Sequence, residues 1–317
     1  MLEVIVTHKR KEALDICSFE LARVDGAPLP VFSAGSHIDV HIGPGLVRQY
    51  SLCNHPEENH RYLIGVLLDP TSRGGSQAMH DQIVVGQTLS ISEPRNLFPL
   101  EHSAARTLLF AGGIGITPLL CMAERLAQSG ADFELHYAAR SAERAAFQAR
   151  IRESSFASRV HFHFDDAQPA QPLDMATLLR EPHPSTHLYV CGPTGFMEFV
   201  LRSAREQGWS EESLHREYFS ASPEVHAGGA SFEIQLASSG DIYVIPEDQT
   251  IIDVLYEAGI DIPVSCEQGI CGTCVTRVLE GEPDHRDSFL TEIEKARNNQ
   301  FTPCCSRAKS ARLVLDI

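Results

Sequence analysis

The sequence predicts a multidomain protein: an antiparallel β-barrel, then a doubly wound parallel α/β domain, then a small cysteine-bearing domain. Three observations predict it. Residues 2 to about 100 alternate short apolar runs with turn signals, and from Thr107 strands alternate with helical patterns. After the small, polar, Gly/Pro-bearing segment 220–230, cysteines crowd a single loop. The expected division is 1–102, 103–222, a linker at 223–230, and 231–317. At 317 residues the chain is too long for one ordinary core, so a division of this kind is required.

In the first part, EVIVTHK, ICSFELARVDG, HIDVHIGPG, VRQYSLCN, RYLIGVLLD and QTLSISEP read as short, regularly spaced strands, the signature of an antiparallel barrel or sandwich. Along VRQYSL, strand alternation puts Arg48, Tyr50 and Leu52 on one face and Gln49 and Ser51 on the other. The turn Arg73, Gly74, Gly75, Ser76 offers amides, a guanidinium and a hydroxyl. That set suits a small phosphate nest, although a flexible surface turn has the same composition.

In the second part, TLLFA, FELHYAA, RVHFHF, HLYVC and LHREYF read as strands, with LLCMAERLAQ and GFMEFVLRSAREQG as helices between them. TLLFA runs into GGIGITP, with Gly112, Gly113 and Gly115, and then a helix for which Thr117 is the expected N-cap and Pro118 the first residue. Loop amides and helix dipole then meet at one spot, which suits a pyrophosphate. Proline stands where a third glycine would complete the fingerprint, so the loop alone also fits a plain tight turn. HLYVC carries Cys191 into Gly192 and Pro193, placing a thiol at the strand's carboxyl end, where such sheets bind ligands. Spacing alone equally allows a buried structural cysteine.

The third part opens with a hairpin, SFEIQLASSGDIYVIP, followed by the helix TIIDVLYEAG, with Thr250 near its N-cap and Gly259 just past its end. Cys266, Cys271 and Cys274 then stand in C-x4-C-x2-C spacing, and Cys304 and Cys305 follow 30 and 31 residues after Cys274. This is the plant-type [2Fe-2S] pattern. Thiolates are the soft ligands such clusters need, and Gly269 and Gly272 let the backbone wrap the sulfurs. Zinc sites usually pair cysteines as C-x2-C, which fits this run poorly. Either member of the Cys304–Cys305 pair could supply the fourth ligand on spacing alone.

Composition narrows the function. The net charge of −16 and the lack of a basic stripe exclude a nucleic-acid partner. Half of that charge lies in residues 231–317, with 7 basic and 15 acidic side chains. The stretch Thr107–Ala123 is charge-free but carries three glycines and a proline and is short for a bilayer, so no membrane segment is expected. The basic cluster follows the N-terminal apolar tetrad instead of preceding it, unlike a secretory signal. Nine cysteines without such a signal read as reduced thiols and metal ligands in the cytoplasm.

The ordered set RQYSL, RGGS, GGIGITP, YVCGP and CEQGICGTC resembles phthalate dioxygenase reductase and its relatives, among them the vanillate O-demethylase reductase components, over essentially the whole chain. The resemblance implies an FMN-binding barrel, an NAD-binding α/β domain and a plant-type ferredoxin domain of β-grasp fold. It implies that Arg48, Gln49, Tyr50 and Ser51 line the flavin, with Ser51 near its reactive edge, and that Gly65, Val66 and Leu67 pass beside it. Arg48, Arg73, Gly74, Gly75 and Ser76 would hold its phosphate. Thr117 would sit where flavin and nicotinamide meet, with Gly112, Gly113, Gly115, Gly192 and Pro193 along the nucleotide. Cys191 would lie near the nicotinamide, and Glu217 and Phe219 would approach from the last strand. Leu67 and Leu68 depart from relatives that carry a basic side chain here.

In the same family the last ligand stands two residues before a Ser-Arg pair. That matches Cys304 and gives Cys266, Cys271, Cys274 and Cys304 as the ligand set, with Cys305 in a place usually held by an apolar residue. The implied function is that of a monomeric reductase component, passing electrons from NADH through FMN and the cluster to a separate terminal oxygenase. Another acceptor, such as a cytochrome, is the alternative. A third reading, an electron-carrier module on a degenerate scaffold, is opposed by the retained Arg48, Ser51, Ser76 and GGIGITP loop. Arg140 and Ser141 end the second α/β strand without an acidic residue for a ribose hydroxyl, a pattern that leans to NADPH, whereas the family leans to NADH.

Overall fold

The computed structural model describes residues 1–43, 45–70, 74–167, 173–219 and 229–317. The expected phosphate-nest residue Arg73 and most of the expected linker lie outside the described residues. The chain divides into two compact units, Met1–Glu217 and Tyr218–Ile317. The barrel and the α/β sheet both lie within the first unit.

The barrel contains β1 (Leu2–Ala13), β2 (Ile16–Arg23), β3 (Ser36–Gly43), β4 (Leu46–Ser51), β5 (Tyr62–Leu67), β6 (Thr88–Ile91) and the short β7 (Arg95–Asn96), with α1 (Gly75–Asp81) between β5 and β6. The order is β4-β3-β6-β1-β2-β5, with β7 on β3, and every ladder is antiparallel. A bridge between Leu52, just past β4, and Ile64 within β5 brings the two outermost strands of the order together, curling the sheet toward a barrel. Alternate residues fill the interior: Val4 and Val6, Phe19 and Leu21, Ile38 and Val40, Tyr62 and Ile64 are all fully buried.

The α/β half runs β8 (Arg106–Gly112), α2 (Ile116–Ser129), β9 (Asp132–Ala139), α3 (Gln148–Glu153), β10 (Val160–Phe164), α4 (Met175–Leu178), β11 (Thr186–Cys191), α5 (Thr194–Glu206) and β12 (Leu214–Glu217). All pairings are parallel in the order β10-β9-β8-β11-β12. The order reverses between β8 and β11, so the ligand crevice of a doubly wound sheet opens at Gly112 and Cys191. The near-continuous apolar run Leu108–Ala111 is buried because helices cover both faces of such a sheet. The apolar cluster against α2 also takes in Ala13, Ile16, Ala34 and Cys53 of the barrel, which joins the two sheets through one core.

One expectation fails locally. Thr117 is not the N-cap: a 3₁₀ turn at Gly113–Gly115 leads directly into α2, whose N-cap is Gly115. The Thr117 hydroxyl instead donates to the Ile114 carbonyl at 3.0 Å. The tight glycine turn has already brought the chain to helical geometry, so Thr117 falls inside the first turn.

The second unit holds β13 (Phe232–Leu236), β14 (Ile242–Ile245), α6 (Ile251–Glu257), β15 (Thr276–Glu280), β16 (Pro283–Asp284), α7 (Glu292–Ala296), β17 (Gln300–Phe301), β18 (Arg307–Ala308) and β19 (Arg312–Leu315). Its sheet runs β14-β13-β19-β15-β17, while β16 and β18 form a small separate ladder. Thr250 caps α6 through a capping box with Asp253, worth about 1 kcal/mol. Ile251 and Leu255 of α6 pack on Phe232, Ile234, Leu313 and Leu315. Cys53 and Cys121 are buried core thiols, and Cys17 is half-buried.

Candidate flavin, nucleotide and iron–sulfur sites

Five segments of the chain meet at the carboxyl edge of the parallel sheet. Register puts Cys191 beside Ala111 of β8 and Glu217 of β12. The Ser51 hydroxyl, at the end of β4, donates to Oε2 of Glu217 at 3.2 Å. A Cβ on Gly115 would lie 2.1 Å from the Cys191 carbonyl oxygen, so only glycine lets the loop after β8 seat on the end of β11. A Cβ on Gly65 of β5 would lie 2.8 Å from Cγ2 of Thr117. The structure thereby brings Ser51, Gly65, Gly115, Thr117, Cys191 and Glu217 to one edge.

The electrostatics of this edge follow from burial. Protein surrounds enough of the Glu217 carboxyl that desolvation pushes its pKa up to about 8, against the opposing hydrogen bond from Ser51. Burial, and then the charge of Glu217, push the Cys191 thiol well above its ordinary value, so the sulfur stays protonated. Phe219, two residues past Glu217, belongs to the second unit and is exposed.

Around β4, Gln49 donates to Oδ1 of Asp39 at 3.0 Å, and Tyr50 packs on the barrel core. Arg48 crosses from β4 to the start of α1: a Cβ on Gly75 would lie 2.6 Å from its Nε. Gly74 is the N-cap of α1 and supplies no side chain to its first-turn amides. Guanidinium and amide donors are thus gathered at one turn, a donor set that fits the phosphate of a flavin mononucleotide. Ser76, also in this turn, accepts from the Asp69 amide at 3.1 Å. Val66 turns its side chain into the core, and its carbonyl meets Nε2 of His80 at 2.9 Å. Leu67 is exposed. Along the other loop, α2 also lacks a side-chain cap; the Ile116 amide already donates to the Gly113 and Ile114 carbonyls and Pro118 has no N–H, so the positive end of the helix dipole is what α2 offers an anion such as a pyrophosphate.

In the second unit the thiols of Cys266 and Cys271 share a hydrogen bond, and that of Cys304 meets Cys274 and Cys305. Among the described residues no three side chains converge on a single metal ion. Two pairs of thiols suit a binuclear centre in which each iron takes two thiolates. Backbone amides already face the sulfurs: Gln268 N–H donates to Cys266 at 3.3 Å, and Thr273 N–H to Cys271 at 3.5 Å. The Cys305 sulfur lies in a hydroxyl pocket, 3.2 Å from Thr302 Oγ1 and 3.8 Å from Ser306 Oγ, where a Cβ on Gly269 would meet it at 2.4 Å.

Residues 109–202 match the family model of the oxidoreductase NAD-binding domain, and residues 234–309 that of the 2Fe-2S iron–sulfur cluster binding domain. Over its full length the chain is 62% identical to the vanillate O-demethylase oxidoreductase of Pseudomonas putida, covering 100% of both. It is 59% identical to the enzyme of the same name from Pseudomonas sp. (strain HR199 / DSM 7063), again with full coverage of both. The chain belongs to the vanillate O-demethylase oxidoreductase family. The solved structure of phthalate dioxygenase reductase, described as modular for electron transfer from pyridine nucleotides to [2Fe-2S], superposes with a TM-score of 0.79 at 40% identity, covering 100% of this chain and 98% of that one. Like other members, this vanillate O-demethylase oxidoreductase homologue is an NADH-dependent flavin and iron–sulfur oxidoreductase that delivers electrons to an oxygenase component.

Sequence reasoning missed Phe147, whose ring reaches within 3.3 Å of the Cβ position on Gly65, and the imidazole of His80. Neither stands in a motif, and no spacing marks them.

Proposed function

We propose that this chain is the reductase component of a vanillate-demethylating oxygenase, with FMN held on the barrel. The observation that carries the reading is the meeting of Ser51, Gly65, Thr117, Cys191 and Glu217 at the switch point of the nucleotide-binding sheet. FMN exchanges a hydride's two electrons for single ones, and a [2Fe-2S] cluster relays those singly. The protein's residues bind, orient and screen. Arg48, Gly74, Gly75 and Ser76 hold the flavin phosphate, and Gln49 and Tyr50 fix the strand that carries Ser51.

Glu217, protonated at neutral pH, keeps a proton beside the Ser51 hydroxyl at the reactive edge. The neutral Cys191 thiol packs the place of the nicotinamide without adding charge. Cys266, Cys271, Cys274 and Cys304 ligate the cluster, while Thr302 and Ser306 engage Cys305 and leave it outside the ligand set. NADH is the donor, with Arg140 exposed at the end of β9 as the feature to test against NADPH. All nine thiols are free and no described helix is long and apolar enough to cross a membrane, which supports a cytoplasmic protein. We take it to act as a monomer.

The test is spectroscopic and then functional. Anaerobic NADH should bleach the flavin bands and reduce the cluster, FMN should be released on denaturation, and the reduced protein should support vanillate demethylation by a purified oxygenase component. Release of FAD, or failure of NADH to bleach the flavin, would overturn the cofactor reading. Reduction without demethylation, with a cytochrome accepting instead, would overturn the partner.

A further inference from the structure

We infer that Phe147 is a positioning residue for the flavin–nicotinamide junction, holding the barrel strand β5 and the start of α2 in register; this rests on the reading of Gly65 and Thr117 given above. Phe147 is N-cap of α3 and stands at φ 60°, ψ 16°, the left-handed region that a bulky aromatic side chain rarely adopts. It is nevertheless buried, with 2% of its surface exposed. Its ring atoms Cε2 and Cζ and the Thr117 γ-methyl all close on the one point where a Cβ of Gly65 would stand, at 3.3, 3.3 and 2.8 Å. Three chain segments therefore meet there: β5 of the barrel, the first turn of α2, and the segment leading into α3.

That segment is fixed on both sides. On the sheet side, the Tyr137 hydroxyl of β9 accepts from the Ala146 amide at 2.9 Å, while within the segment the Gln148 carboxamide donates to the carbonyls of Ala142 and Ala145. On the barrel side, the Leu14 amide donates to the Glu143 carbonyl at 2.7 Å, and Arg144 reaches Asp15 at 3.2 Å. Asp15 in turn accepts from the Leu68 amide at 2.7 Å, immediately after β5. Residues 142–148 thus form a clasp between the β1–β2 turn, the end of β5 and the parallel sheet, and the left-handed turn at Phe147 aims its ring back at Gly65. A left-handed aromatic residue persists only where its surroundings over-determine it, and such residues concentrate at functional sites. What the clasp sets is how closely β5 at Gly65 seats against Thr117 at the start of α2, and so how the barrel that would carry the flavin is placed on the sheet that would carry the nicotinamide. Hydride transfer depends steeply on the alignment of those two rings.

The test compares Phe147→Ala and Phe147→Leu with the parent protein, each quantified by bound flavin and by cluster absorbance. Anaerobic stopped-flow mixing with NADH reads the rate of flavin bleaching at saturation, the NADH dissociation constant and the long-wavelength charge-transfer absorbance of stacked nicotinamide and flavin. Phe147→Ala is expected to slow bleaching per bound flavin by about tenfold or more, weaken the charge-transfer band and leave the dissociation constant within about threefold. Phe147→Leu should recover part of the rate. Reduction of the cluster by dithionite should be unchanged in both. A parent-like rate and band in Phe147→Ala would overturn the inference. If that variant does not fold or retain flavin, the Leu variant decides, and a parent-like rate and band there overturn it equally. Thr117→Ala, which removes both the γ-methyl that meets Gly65 and the hydroxyl, serves as the control. If it also bleaches normally, the reading of the junction itself fails; if it alone is slow, only the role of Phe147 fails.

Discussion

The Ser51 hydroxyl and the Glu217 carboxyl, 166 positions apart in the chain, lie 3.2 Å from each other where the barrel meets the parallel sheet. Ser51 ends the strand expected to line the flavin, and Glu217 ends the last strand of the nucleotide-binding sheet. Their hydrogen bond joins the two halves of the proposed redox site.

Glu217 should leave a signature in stability against pH. Its pKa in the folded protein is raised to about 8 from an ordinary 4.5, so the native state holds a proton that the unfolded chain has released between those values. Stability from this group is therefore fully present below about pH 4.5 and is lost as pH rises to 8. The slope reaches at most about 1.4 kcal/mol per pH unit for one proton. Urea unfolding of Glu217→Gln at pH 5, 6, 7 and 8 should show this slope removed, and an unchanged profile would count against a protonated Glu217.

The adjacent cysteines should behave oppositely. Cys304→Ser is expected to abolish or strongly perturb the visible and EPR signals of the cluster, because Cys304 is the member in contact with Cys274. Cys305→Ser should retain them, since Thr302, Ser306 and Gly269 already surround that sulfur. The reverse result would reassign the ligand.

Gly115→Ala should cost stability and nucleotide binding together. The added methyl would overlap the Cys191 carbonyl, and forcing extra volume into a packed site costs about 1–3 kcal/mol. Denaturant midpoints and NADH titration monitored at the flavin give the two readings. A variant weakened in stability alone would detach this loop from the nucleotide.

Arg307 should hold the second unit together. Its guanidinium is buried, donates to the carbonyls of Gln249, Ala230 and Pro246 at 3.0, 3.3 and 2.7 Å, and sits over the Phe232 ring. Arg307→Ala would leave three carbonyls without this donor and is expected to lower the stability of that unit by about 3 kcal/mol. Arg307→Lys should rescue little, because an ammonium lacks the fork that reaches several acceptors at once. Loss of cluster absorbance during urea titration reports it.

Much of this was legible in the chain because the signals are local. The alternating run from Arg48 to Leu52, the apolar strand from Thr107 to Ala111, the Thr250 cap and the spacing of Cys266, Cys271 and Cys274 each follow from side chains a few positions apart. The start of α2 was misread at Thr117 because a 3₁₀ turn of three residues looks, in sequence, like a loop. Phe147 was invisible for a different reason. Its backbone is set by Tyr137, Asp15 and Gly65 together, and nothing in its own neighbourhood announces a left-handed residue. The partnership of Ser51 and Glu217 likewise exists only once the barrel is docked on the sheet.

Strand β19 lies in the middle of its sheet, parallel to β13 on one side and antiparallel to β15 on the other, with Leu313 and Leu315 fully buried. The last strand in the sequence is therefore a central plank, set in place after all four expected cluster ligands have been synthesised. A chain cut short before Arg312 would carry every thiol and still lack the support that keeps them in place.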